Sequence, residues 1–252
     1  MDYEQEYEEY TQQQMGPGRR ALRKTLWWIA RILVFGITAL VFWRVLFSGH
    51  IPAAMKTLIV NDNTYGAYLQ EGEKLTMYTQ PQEQVIMDGA SAGYFWVCQA
   101  VFVPEADQVQ VLVRYNNSTL ARLAEDFELD EVPGRGDTVL DVTLVITVDP
   151  DPTNKTTTDR QKIRIQPTGD PLEDSTLMYN YRKYVFDGVT FDPASTINLS
   201  VEFYYEGYVD YDDHPLGALV IYEPQYETEP YALTARDKKA IKQYARANET
   251  AK

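Results

Sequence analysis

Cysteine is almost missing from this chain: Cys98 is the only one in 252 residues. No disulfide can form within the chain, so any stable part of it must rest on a packed core. Histidine is nearly as scarce, with His50 and His214 alone. Two histidines leave little from which to build a histidine metal site or a general base. His50 lies in the juxtamembrane linker, three positions past the long apolar run. His214 sits in Tyr211-Asp212-Asp213-His214-Pro215, a predicted loop, and neither place favours a preorganised triad. HExxH, CxxC and the Walker loop are also lacking. Positive charge is short, at 23 Lys and Arg against 37 Asp and Glu, net −14. That balance repels nucleic acid. The chain is accordingly expected not to be an enzyme and to bind no nucleic acid. The lack of cysteine pairs, which animal ectodomains commonly carry, points to a bacterial cell envelope.

Long apolar runs are also lacking, save one. Residues 26–47 read LWWIARILVFGITALVFWRVLF, about 33 Å as a helix, close to the thickness of a bilayer's hydrocarbon core. Arg31 and Arg44 lie near its ends, where each can snorkel to a headgroup layer, and no charge stands between them. Trp27, Trp28 and Trp43 fall at the interfacial depths that indoles prefer. The two arginines are thirteen residues apart and so on different helix faces, unlike the single polar stripe of a surface-lying helix. The run outlasts a signal peptide's apolar core, and residues 48–55 offer no good small-x-small cleavage site. A single spanning helix anchored in lipid is predicted. Arg19, Arg20, Arg23 and Lys24 precede it closely, whereas Lys56 alone follows within a short reach. The positive-inside rule then puts the N-terminus in the cytoplasm and the large remainder outside the plasma membrane.

This divides the chain into an acidic tail at 1–18 that is too polar to build a core, a basic juxtamembrane stretch at 19–25, the anchor, a linker at 48–55, an extracytoplasmic domain at 56–231, and a basic tail at 232–252. Residues 49–231 hold 30 acids and 11 bases, net −19, and the last 21 residues hold six bases and two acids. From residue 56 the apolar pattern has period two. Strands are expected at 56–60, 64–69, 74–79, 84–87, 94–103, 108–115, 138–148, 161–166, 177–186, 197–205 and 216–222, all rich in Val, Ile, Thr, Tyr and Phe. Val109, Val111, Val113 and Tyr115 alternate with Gln110, Leu112 and Arg114, as in a half-buried strand. Asn, Asp, Pro and Gly clusters separate the strands. Long βαβ spacers are lacking, so the sheets should be antiparallel and packed as a β-sandwich, immunoglobulin-like by architectural analogy only. A short helix is expected at 119–127 with Ser118 as its cap, and another in the tail with Thr234 as its cap. The basic tail is expected to dock on the acidic domain or on anionic envelope material.

Several constellations are candidates for chemistry. Asp149, Asp151 and Asn154, and separately Asp210, Asp212 and Asp213, are oxygen-rich loops of the kind that bind calcium, the one cofactor this sequence suggests. Arg135-Gly136-Asp137 resembles the triplet through which cell-adhesion ligands engage integrins. Tyr204, Tyr205, Tyr208 and Tyr211 lie among acids, a pairing that some sugar-binding sandwiches use for stacking. Asn116, Asn117, Asn154, Asn198 and Asn248 stand in Asn-x-Ser/Thr sequons, an excess that suits an N-glycosylated lumenal or ectodomain protein of a eukaryote. Cys98 reads as a small buried hydrophobe. The functional expectation is a membrane-anchored, exported, non-catalytic binding or scaffold module. Its partners are the lipid around 26–47 and a protein or glycan. A calcium- or carbohydrate-binding surface domain and an adhesin are the alternatives.

Overall fold

The computed structural model describes residues 17–48, 50–75, 77–80, 84–86, 95–134, 136–137, 140–149, 160–190, 196–205, 216–223, 229–230 and 232–250. The chain separates into two units, Met1–His50 and Ile51–Lys252. The first contains helix α1 (Pro17–Ser48). Within it Ala21–Trp43, 23 residues, is long and apolar enough to cross a membrane, and none of it is buried. Thr25 and Thr38 donate their hydroxyls back to the carbonyls of Ala21 at 3.0 Å and Val34 at 2.8 Å, which hides two polar groups in the helix itself. The helix starts before residue 26. Pro17 fits its first turn, where a missing N–H costs nothing, and nothing between Gly18 and Trp27 breaks it, so the basic residues at 19–25 are part of it.

The second unit has, among the described residues, eleven strands: β1 (Tyr78–Gln80), β2 (Gln84–Ile86), β3 (Phe95–Val103), β4 (Gln108–Asn116), β5 (Leu140–Val148), β6 (Gln161–Ile165), β7 (Leu172–Ser175), β8 (Tyr179–Asp187), β9 (Thr196–Tyr205), β10 (Gly217–Tyr222) and β11 (Glu229–Pro230). They form two antiparallel sheets. One runs β11-β1-β3-β4-β8-β7, with β2 also on β3, and the other runs β10-β9-β5-β6. Strands β1 and β2 lie along successive stretches of β3, Tyr78 opposite Phe102 and Ile86 opposite Phe95. The period-two apolar residues face one another across the two sheets. Val109, Val111 and Val113 share a core with Val142, Leu144 and Ile146 and with Val201 and Phe203. The rings of Phe95 and Phe203 stack at 6.0 Å. Helix α4 (Asn117–Asp126) adds Leu120 and Leu123 to this core. Its cap is Asn116, whose Oδ1 accepts from the N–H of Thr119 at 2.9 Å, and not the expected Ser118. Strand β4 runs one residue further than expected, through Asn116, and the helix follows at once, two residues earlier than expected.

The other face of the larger sheet is where the sequence misled. Strands are expected at 56–60 and 64–69; instead α2 (Ala53–Lys56) ends at Lys56, residues 57–61 form an irregular connection, α3 (Asp62–Glu71) takes up 64–69, and helix α5 (Ala235–Thr250) comes from the tail. Leu58, Ala67 and Leu75 pack on Val101 and Val103, and Met55 packs on Cys98, Leu112 and Tyr181. Strand β4 is therefore covered on both faces, and Gln108, Gln110 and Leu112 are fully buried. Part of the reason is local. Asn61 caps α3 by accepting from the N–H of Thr64 at 3.0 Å, and Gly72, at φ 59°, ends it in a conformation that favours glycine.

Candidate functional site

Helix α5 starts with a reciprocal cap. The Thr234 hydroxyl accepts from the N–H of Asp237 at 3.2 Å, while an oxygen of Asp237 accepts from the N–H of Thr234 at 2.9 Å. The second carboxylate oxygen of Asp237, a residue 1% exposed, reaches across and accepts from the N–H of Leu58 at 2.7 Å. The carbonyl of that same peptide, on Thr57, accepts from Nζ of Lys183 at 2.6 Å. One peptide unit is thus gripped from the tail by a buried acid and from β8 by a buried lysine. Burial brings the Lys183 ammonium down to about 8, with Asp237 countering part of that shift.

The next residues are held the same way. Gln110 donates to the carbonyl of Ile59 at 2.7 Å and accepts from its N–H at 3.0 Å, as a neighbouring strand would. Asn61 donates to both oxygens of Asp187, and Gln108 donates to Oδ1 at 2.8 Å. Burial opposes the charge on Asp187, but hydrogen bonds from Gln108, Asn61, Asn63 and Thr168 outweigh it and hold the carboxyl below its usual range. The tail packs on the domain mainly through its buried Asp237 and Ile241, an acid and an apolar residue, rather than through the basic charge that suggested docking. Two exposed contacts add to this: Lys238 to Glu73 at 2.7 Å, and the Tyr244 hydroxyl to Asp62 at 2.6 Å.

Outside this clamp lies a groove of about 520 Å³. Arg236, Lys239 and Gln243 line one side, spaced along a single face of α5. Ala53, Ala54 and Thr57 line the other, and Leu58 and Leu172 contribute apolar surface. Arg236 and Lys239 are exposed, and among the described residues neither pairs with an acid. Its size suits a small ligand or headgroup. Along the same edge the turn from β7 to β8 exposes Leu177 and Met178, the latter by 46%. Tyr179, next in the chain, packs with Ile51 and Trp96 beside Met55.

The residues singled out from sequence fall elsewhere. Asp137 turns back, and its Oδ2 accepts from the N–H of Gly134 at 2.5 Å. Gly136 lies in the same turn, and Arg135 lies outside the described residues. Asp149 directly follows β5, whereas Asp151, Asn154, Asp210, Asp212, Asp213 and His214 are outside the described residues, as are Tyr208 and Tyr211. Among the described residues no three His, Cys, Asp or Glu side chains gather as for a cation. Tyr205 stacks on Phe127 at 4.5 Å, and the buried Tyr204 donates to Glu202 at 2.7 Å. Of the sequons, Asn117 and Asn248 are exposed, Asn116 serves as the α4 cap, and Asn198 lies within β9. Cys98 is buried and in no disulfide, in keeping with a small buried hydrophobe. Trp27, Trp28 and Trp43 are exposed on α1, and the Arg31 guanidinium stacks 3.6 Å over the Trp27 ring. Arg23 and Lys24 are exposed on the same helix, whose backbone also carries Arg19, Arg20 and Arg44.

Gly89-Ala90-Ser91-Ala92-Gly93 has the Gly-x-Ser-x-Gly spacing of a hydrolase nucleophile elbow. That chemistry needs a strand running into a helix. Here the motif lies outside the described residues, between β2 and β3, which pair antiparallel with Ile86 opposite Phe95. The flanks are therefore those of a hairpin. No known family model matches the chain, and no curated protein or solved structure is significantly similar to it.

Proposed function

We propose that this chain is a single-pass protein of the plasma membrane, with its N-terminus cytoplasmic, whose acidic domain is exported and serves a bacterial cell envelope as a non-catalytic binding or scaffold module. The carrying observation is α1: apolar over 23 residues and bare on every side. A helix of that kind in a water-soluble protein would hide its apolar side chains in a core, whereas lipid accepts them on all faces. Arg19, Arg20, Arg23 and Lys24 before Leu26, against Lys56 alone within a short reach after Ser48, support the orientation. The exported domain is read as an immunoglobulin-like sandwich by architecture, with a helical layer over the outer face of one sheet.

The reading makes two linked predictions. Carbonate washing of membranes is expected to leave the chain in the pellet. Protease added to intact cells is expected to degrade residues 51–252 while sparing a short anchored fragment. Release by carbonate, or a domain protected until the cells are opened, would overturn it.

A further inference from the structure

The groove beside α5 combines features that rarely meet on so acidic a chain. Residues 49–231 carry a net −19, yet this face presents Arg236 and Lys239 with no acid to neutralise them among the described residues. Leu172, 41% exposed, lines the same groove, and Met178 stands exposed at the turn that ends β7. Helix α2 lies against both β7 and β8. Cations flanked by exposed apolar side chains are what an interfacial membrane-binding surface presents: the charges meet phosphates while the apolar groups enter the acyl boundary. Chain length adds a constraint. Only residues 49–52 separate Ser48 from Ala53, which lines the groove.

Resting on the membrane reading above, we propose that this face lies on the bilayer that carries the anchor, with Arg236 and Lys239 taking the phosphodiester of an anionic phospholipid and Met178 dipping beneath it. An acidic peptide would meet the same two cations. It would make no use of the exposed apolar turn or of the short tether, and the observations therefore favour lipid. Because the rest of the domain is acidic, an anionic surface repels its other faces and leaves this one as the contact.

The test places the full chain in nanodiscs of phosphatidylcholine, alone or with increasing phosphatidylglycerol, and follows amide exchange in residues 53–59, 176–178 and 235–243. Protection of these segments is expected to rise with the anionic lipid. Arg236→Gln and Lys239→Gln, both exposed and outside the core, are each expected to weaken the response roughly fivefold, and Met178→Ser is expected to reduce protection at 176–178. Equal exchange in neutral and anionic discs, or an unchanged response in the double variant, overturns the proposal while leaving the membrane reading standing. Failure of the chain to co-elute with any disc removes both. If an acidic peptide protects the same segments equally well in neutral discs, the groove is a peptide site and the lipid assignment is overturned.

Discussion

Lys183 is a lysine in a place lysines avoid, 1% exposed on the covered face of the larger sheet. The ammonium is retained by the Thr57 carbonyl and by the nearby charge of Asp237. Its titration falls from 10.5 in the unfolded chain to about 8 in the folded one. Between those values the unfolded state holds more proton, so stability rises with pH across that window. Measured against Lys183→Met by denaturant titration, the wild type is expected to gain up to about 3 kcal/mol from pH 8 to 10.5. A difference that stays level with pH would refute the assignment. Little of this was legible in advance. Within Leu177–Phe186 the lysine reads as an outward polar residue of an alternating strand, and only the layer over that face turns it inward.

That layer is the element-scale lesson. The strands that survived from sequence to structure, such as β4, β5 and β9, repeat apolar residues at period two, and their own composition pairs them. Helix α3 did not announce itself. Asp62-Asn63-Thr64-Tyr65-Gly66-Ala67-Tyr68 is poor in helix formers, and its Tyr and Thr favour strands. Its helical form rests on the Asn61 cap and Gly72, and on Gln108 and Asp187, residues 47 and 126 positions from Asn61. The cap and the glycine were visible eleven positions apart; the distant partners were not. Strand β7, Leu172-Glu173-Asp174-Ser175, was missed because acids of low strand propensity form it, paired along the edge of β8. Of the groove, sequence indicated only the basic tail and its Thr234 cap. Asp237, the residue that seats α5, looked like one more acid among many. Asp237→Ala strands the N–H of Leu58 and the charge of Lys183, at an expected cost of about 3 kcal/mol. Asp237→Asn, which keeps an acceptor, should lose less. Thermal melts in which the two variants coincide would remove Asp237 from this role.

At the scale of the whole molecule, a terminal helix that looks like an appendage is a structural part of the domain. Ile241, 2% exposed, and Asp237 are buried in the covering layer, and the Leu58–Asp237 bond joins residues 179 apart. Deleting residues 232–252 is therefore expected to lower the melting temperature of the domain by well over 4 °C, since even 1 kcal/mol moves a domain of this size by about 2–4 °C. Faster proteolysis between residues 51 and 75 should accompany the loss. A truncated chain that melts with the wild type would show the helix to be dispensable.

The peptide between Thr57 and Leu58 also sets a clock. A ribosome makes it early, yet one of its two holders, Asp237, follows 179 residues later. Until then the covering layer lacks its clasp, and Lys183, Gln108 and Gln110 lie less shielded from water. Closure of the covering layer should accordingly wait for α5, and a nascent polypeptide stalled before Asp237 would be the species that chaperones and quality-control proteases recognise.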